Sequence, residues 1–370
     1  MEWVGIAHST KPKYMRGASD LTIRQRLLLA MLKKRGRFEM NQSGENCRWQ
    51  VEYSQPPVEA YADGGVIDFA NHDAFRTLAC DWRGYITRDS LSKKQQAMNK
   101  GDEALINLFQ TKANRLTKSL RDRFSGELYK DGEAAGRENN VHGLETFLGA
   151  GTCVVGDRIA APSDTYGLTA LSTVPGNHGG SWSATGTAPN ASMASDWPDG
   201  QGDSEYDFLS PKLINWSSNA WGTSSVLWED NCWRVISQMI TWLTMTGGQE
   251  GMPEICMLAP NLFQGYKNHE EAIRRINVPH KEAMDLGFQG NVLNQDGCAI
   301  SADFDVAPNV GYGLVLSDIT VSSLMPELFW MEGPDIDPRS AWSYLWGQGF
   351  YGNAKFKPKS VAKLKNYAAS

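Results

Sequence analysis

The sequence predicts an α+β fold in two sub-domains, and three observations carry that prediction. At 370 residues the chain is longer than one hydrophobic core usually fills. Two segments alternate apolar and polar residues with period two, Cys47–Tyr53 cleanly and Phe75–Thr87 more loosely, which predicts strands. Between residues 105 and 124 the apolar residues Leu105, Phe109, Ala113, Leu116, Leu120 and Phe124 step by three or four, which predicts one long amphipathic helix.

Taken in order, residues 1–37 form a polar, basic arm with a short helical pattern at Leu21, Ile23, Leu27, Leu28, Met31 and Leu32. The two strands of residues 38–95 flank a turn-rich stretch containing Pro56-Pro57 and Gly64-Gly65, so they describe an extended hairpin. A hairpin alone has little to bury and needs a partner surface. Asp102 stands where an N-cap of the long helix is expected. The opposite face of that helix carries Lys112, Arg115, Lys118, Arg121 and Arg123, either a solvated face or a wall toward polyanion or acidic neighbours.

Residues 150–226 are rich in Gly, Ser, Thr, Asn and Asp and predict surface excursions held by their neighbours. Trp228, Cys232, Trp233, Ile236, Met239, Ile240 and Leu243 mark a second helix, ended by Gly247-Gly248. A strand at Glu254–Ala259 follows, and Pro260 opens a third helix running to about Arg275. Gly287–Val306 reads as paired strands turning at Asn294-Gln295-Asp296-Gly297. The last sixty residues close the chain with long strands.

Composition narrows the function. With 41% hydrophobic and 21% charged residues this is an ordinary globular composition. No run of about 18 apolar residues predicts a membrane span, and the N-terminus has no basic stretch followed by an apolar core, so no secretory signal is expected. Six scattered cysteines, Cys47, Cys80, Cys153, Cys232, Cys256 and Cys298, show no CxxC or zinc spacing and predict reduced, buried thiols in a cytoplasmic setting. A net charge of −6 argues against tight grip on nucleic acid. Thirteen tryptophans fit interface anchors, a Trp-rich core or a sugar cleft equally well.

Catalytic and ligand motifs are not found. The six histidines lack i, i+4 spacing and any HExxH pattern. Gly149-Ala150-Gly151 lacks the third glycine of a dinucleotide fingerprint, and neither GxxxxGK[ST] nor GxSxG occurs. Asp303 and Asp305 flank Phe304 in an expected strand, and read as solvated or interface charges more readily than as a metal pair. No cofactor and no metal are expected. The closing lysines, Lys355, Lys357, Lys359, Lys363 and Lys365, would place their odd positions up to 359 on one face of a strand, available to acidic residues such as Asp63 or Asp68 of a neighbour.

Three phrases in this order resemble the major capsid proteins of tailed double-stranded DNA phages, the Hong Kong 97-type fold. The first runs from Asn99-Lys100-Gly101 through Leu105–Leu108 to Tyr129-Lys130-Asp131-Gly132 and His142-Gly143-Leu144-Glu145. The second is Pro253–Met257 followed by Leu262-Phe263-Gln264-Gly265-Tyr266, and the third is Gly347–Tyr367. The resemblance implies an N-terminal arm at 1–37, an extended loop at 38–95, and a peripheral domain with its spine helix at 96–224. It further implies an axial domain at 225–310 and peripheral strands at 311–370. On that reading the chain is no enzyme. It self-assembles into hexamers and pentamers of a virion head, formed in the host cytoplasm with a separate scaffolding protein and a portal protein at one vertex, with or without a decoration protein outside, around weakly contacted DNA. Trp49, Tyr53, Trp82 and Tyr85 of the loop, with Lys355, Lys357 and Lys359, are the expected inter-subunit contacts. Some members of the family weld subunits through a loop lysine. No lysine lies between Gly36 and Leu91, so no such cross-link is expected. An encapsulin-type shell shares the implied fold, and a carbohydrate-active enzyme is the alternative from another class.

Overall fold

The computed structural model describes residues 26–53, 55–56, 58, 60, 71–94, 102–148, 165–170, 209, 211–217, 226–247, 251–273, 292–337 and 343–366. Within them helices and strands are mixed as the sequence predicts. Two sheets organise the chain around one contiguous apolar core.

The first sheet grows around the longest strand, β14 (Ser343–Phe356). One edge of β14 pairs antiparallel with β4 (Arg83–Leu91). The other pairs with β13 (Trp330–Asp337) and, farther along, with β12 (Ile319–Ser323). A short β1 (Phe38–Glu39) adds in parallel beyond β12. The predicted long helix, α2, spans Asp102–Glu127 and underlies this sheet. Asp102 is its first helical residue instead of its cap, a shift of the size expected at frayed ends. In the described part of its stripe Ala113, Leu116, Leu120 and Phe124 are buried. Leu116 packs with Leu91 and Trp346, and Phe124 meets Phe350 at 4.8 Å between ring centroids. Even-numbered residues of β14 therefore face the helix. Thr117 joins that contact by donating to Gln348 at 2.9 Å. Each buried aromatic or leucine contributes about 1.5–3 kcal/mol of transfer free energy, so this seam fixes helix and sheet as one body.

The second sheet has six strands in the order β7 (Lys212–Asn215), β15 (Val361–Lys365), β11 (Val310–Leu314), β8 (Ile255–Leu258), β10 (Cys298–Ala302), β9 (Val292–Gln295). The predicted turn closes β9 on β10: Asp296 and Gly297 take φ of 50° and 88°, the left-handed pair a two-residue hairpin demands. Helices α4 (Trp228–Gly247) and α5 (Pro260–Ile273) pack on this sheet and on each other. Met239 of α4 lies so close to Gly313 that a Cβ there would stand 2.6 Å from its sulfur. Pairing also places the chain's last strand, Val361–Lys365, in this second sheet and not beside β14. The C-terminal stretch thus contributes to both sheets.

Among the described residues most tryptophans are buried. Trp216, Trp228, Trp242, Trp330 and Trp346 are buried, and Trp228 donates to the Leu262 carbonyl at 2.7 Å. Of the Gly/Ser-rich stretch, residues 165–170, 209 and 211–217 are described. There β5 (Thr165–Tyr166) and β6 (Thr169–Ala170) form a small hairpin whose Tyr166 is fully buried.

His142 shows how tightly the loop after α2 is held. Its backbone N–H donates to Asn353 Oδ1 at 3.0 Å and its ring is buried with Nδ1 unpartnered. Burial, with repulsion from Arg83, lowers its pKa to about 3. Glu133 lies 3.3 Å from Nε2, but Arg83 already holds that carboxylate. Above the ordinary imidazole pKa both states are neutral. Below it the unfolded chain takes a proton that the folded chain refuses, so stability falls by about 1.4 kcal/mol per pH unit down toward pH 3. Urea denaturation of His142→Asn between pH 7 and pH 4 is expected to show a shallower loss than the parent chain. Equal slopes would assign the acid loss to other groups.

Candidate assembly surfaces

The hairpin forms as predicted at its base. β2 (Asn46–Glu52) pairs with β3 (Phe75–Asp81), and Tyr53 N–H continues the ladder to Ala74 O at 2.9 Å. The second predicted strand is broken, however. Trp82 interrupts it, and Arg83 onward is β4, which leaves the hairpin and pairs along β14. Hairpin and central sheet are therefore one continuous piece of chain, joined at a corner.

That corner is held by side chains. Arg83 Nη1 donates to the carbonyls of Gly132 and Asn140, each at 2.7 Å, while Nη2 pairs with Glu133. Asn353 Nδ2 donates to Asp81 O at 2.9 Å, and Trp82 Nε1 to Gly44 O at 2.9 Å. Tyr85 accepts from Val141 N–H at 2.8 Å, and burial raises its hydroxyl pKa to about 12. Both Tyr85 and Trp49 pack on the chain's own core, Trp49 with its ring 6.3 Å from that of Tyr166. Tyr53 and Trp82 are half-buried. The aromatics expected to touch a neighbour thus spend much of their surface anchoring the hairpin to its own subunit. The more exposed apolar residues there are Phe75 and Val58, 59% and 98% exposed.

The lysines divide in the same way. Lys355 Nζ lies 2.5 Å from Glu39 Oε2, tying β14 to β1, and it helps hold that carboxylate below its ordinary pKa against burial. Lys357 lies 3.8 Å from Asp318. Lys359 belongs to a 3-10 turn, Pro358–Ser360, because β14 ends at Phe356. The expected one-face row of lysines is therefore interrupted. Lys363 is buried in the second sheet against Glu145 at 2.6 Å. Asp63 and Asp68 lie outside the described residues.

A groove that sequence reasoning did not single out lies on the sheet face opposite α2. Leu345 and Gly347 of β14 contribute to its floor, and Gly347 carries no side chain, while Gly349 lies beneath the Trp330 ring. Ile86 and Arg88 of β4 wall one side, Trp330 and Glu332 of β13 the other, with Leu345 at one end. Its volume is about 510 Å³. Gly349 is required by close approach: a Cβ there would stand 2.6 Å from the Trp330 ring. Tyr351 stacks on Trp330 at 5.2 Å, and Trp330 Nε1 has no acceptor among the described residues. Ile86 is 63% exposed, so among the described residues an apolar side chain stands out from this face of the sheet. Alternating glycines in a strand, Gly347-Gln348-Gly349, are the sequence signal for such an approach.

Asp303 and Asp305 are not in a strand but in the turn after β10, where Asp305 N–H donates to Asp303 Oδ1 at 3.0 Å. Both point inward. Tyr129 donates to Asp303 at 3.0 Å, and Ser125 to Asp305 at 2.7 Å, with Arg26 3.1 Å from Asp305. Phe304 between them is 83% exposed on a turn held from beneath. Of the basic face of α2, Arg121 is buried against Asp122, and Lys112 bonds Asp89 and the Ser90 carbonyl. Among the described residues no three His, Cys, Asp or Glu gather to hold a metal, and no helix is long and apolar enough to cross a membrane.

No protein-family model matches the sequence, and no curated protein matches it either. Among solved structures the chain is similar to one in the capsid asymmetric unit of cyanophage A-1(L), with 10% identity, 91% of this chain and 92% of that one covered, and a TM-score of 0.49. It is similar to a chain in the capsid of Myoviridae phage XM1 at 7% identity, 90% of each chain covered, and a TM-score of 0.45. It is also similar to the encapsulin complex of Synechococcus elongatus at 9% identity, with 90% and 87% covered and a TM-score of 0.45.

Proposed function

We propose that this chain is the major capsid protein of a tailed phage, a subunit whose copies close into the icosahedral head around double-stranded DNA. One observation carries the reading. Among the described residues a long helix covers one face of the central sheet, a groove over Gly347 opens on the other, and a hairpin leaves the same sheet at its edge. A chain folded this way has surfaces that gain from a second copy of itself, and contacts repeated by symmetry close a shell. The element order supports the reading as well: basic arm, hairpin, spine helix, helix–strand–helix, turn-closed hairpin and long C-terminal strands follow one another as the sequence resemblance implies.

On this reading β14 and α2 belong to the peripheral domain, and α4, β8 and α5 to the axial domain near the five- and six-fold axes. The partners are other copies in hexamers and pentamers, a separate scaffolding protein and a portal protein at one vertex. Packaged DNA is contacted weakly. Assembly takes place in the host cytoplasm, and the chain performs no catalysis.

Electron microscopy of the protein co-expressed with its neighbouring open reading frames tests the proposal. Closed icosahedral shells that take up double-stranded DNA are the expected result. Shells filled with a protein cargo and free of DNA would replace it with the encapsulin reading. Monodisperse monomer at high concentration beside a candidate scaffold would overturn it.

A further inference from the structure

The base of the hairpin brings two thiols face to face. Cys47 of β2 and Cys80 of β3 are direct partners in the ladder, and both are free and buried, 5% and 4% exposed. Tyr53 N–H donates to Ala74 O at 2.9 Å. Bonded and non-bonded pairs alternate along an antiparallel ladder, so Cys47–Cys80, an even number of places away, is a hydrogen-bonded pair. Such partners have Cα atoms about 5.5 Å apart with side chains on the same face. That separation lies inside the roughly 4.4–6.8 Å that disulfides span, while the Cβ atoms of directly opposed residues stand about 4.5–5.5 Å apart against the roughly 3.5–4.5 Å of a closed bridge, so forming the bond must draw the two strands together. The other described cysteines are placed differently. Cys256 faces Ile300 on the parallel strand, so Cys298 stands two places out of register with it.

The two thiols also differ in surroundings. Cys80 packs into the main core and its thiol is pushed up to about 12 by burial. Burial, the largest influence, raises Cys47 as well and Glu39 adds to it, while the Lys355 ammonium and the Ser322 hydroxyl oppose the rise without cancelling it. Cys47 sits at the seam where the hairpin meets β1, β12 and β14.

We propose that Cys47 and Cys80 form an oxidisable pair, a modification site that staples the base of the hairpin when the chain passes from a reducing to an oxidising environment. The oxidant is a peroxide. The Cys47 sulfur, giving up its thiol proton, attacks one peroxide oxygen and the O–O bond breaks, giving a sulfenic acid and water. The Cys80 thiol then attacks that sulfur, the S–O bond breaks, and the second oxygen leaves as water. The thiols lose two electrons in all and the peroxide gains them. The inference rests on ladder register and holds whatever the chain assembles into.

The test is a non-reducing tryptic map of the folded full chain after brief treatment with hydrogen peroxide. Expected is one dominant linked species, Phe38–Arg48 joined to Thr77–Arg83, absent in Cys80→Ala and reversed by a thiol reductant. Hydrogen exchange across β2 and β3 should slow roughly tenfold in the oxidised chain, because the closed loop can no longer open at its base. Sulfinic or sulfonic acid on Cys47 with Cys80 still reduced would overturn the proposal. So would unreacted thiols at both positions, or a spread of pairings matching that of chain oxidised in denaturant. Since the decisive map is made on the unmutated chain, a poorly folding variant leaves the test intact.

Discussion

On the capsid reading proposed above, replacing Ile86 and Leu345 together by arginine is expected to leave a folded subunit that no longer closes into shells. Ile86 is 63% exposed and Leu345 38% exposed, so charges at both positions reach water in the lone subunit. Surface changes of this kind shift stability by about 0.5 kcal/mol or less. In an assembled shell the balance reverses. Burying an isoleucine or leucine side chain contributes about 1.5–3 kcal/mol, and placing arginine there removes that gain and adds a desolvation cost. Every subunit carries the same groove, so the loss recurs throughout the lattice and the yield of closed particles should fall at least roughly tenfold, each 1.4 kcal/mol being worth a factor of ten. Unchanged urea denaturation together with particle counts by electron microscopy checks both halves. Normal shell yield would place the inter-subunit contact on another face.

Much of this architecture is written in local patterns. The period-two run at Cys47–Tyr53 becomes β2, the stepped stripe ending at Phe124 becomes α2, and Asn294–Gly297 closes its hairpin with the residues that tolerate left-handed φ. These signals are legible because neighbours along the chain decide them. What pairing decides is not legible. Nothing local marks Trp82 as the point where one strand ends and the next enters another sheet. Alternating lysines look like one exposed row, yet Lys355 meets Glu39, more than three hundred residues away in sequence, and Lys363 meets Glu145 inside the second sheet. The thiol pair depends on register, which a one-residue slip would destroy. The groove depends on three strands from separate parts of the chain, two of them contributing bulk and the third its absence.

Arg83 is where these long-range choices converge, and Arg83→Ala is expected to lower the folding stability by about 3 kcal/mol. Its guanidinium is 8% exposed and answers two backbone carbonyls and a carboxylate at once. Alanine leaves the Gly132 and Asn140 carbonyls without donors and Glu133 without its cation. Each unsatisfied buried group costs about 1–3 kcal/mol, and Glu133, 26% exposed, recovers some solvation, which keeps the sum near the lower end of the range for broken buried pairs. Lysine keeps the charge but cannot present two N–H groups in a fixed fork, so Arg83→Lys should recover less than half of the loss. Urea denaturation of both variants measures this. Loss confined to Arg83→Ala with full recovery by lysine would mean that charge alone, not the fork, holds the corner. The position of the residue gives the result a second consequence. Arg83 is the first residue of β4, one step past the break that sends the hairpin away from the sheet, and the loop it grips also carries the N–H that Tyr85 accepts. Loosening it frees the hairpin's direction before it unfolds the chain. If the hairpin reaches a neighbouring subunit as the capsid reading proposes, shell closure should therefore fail at temperatures where the variant subunit is still folded.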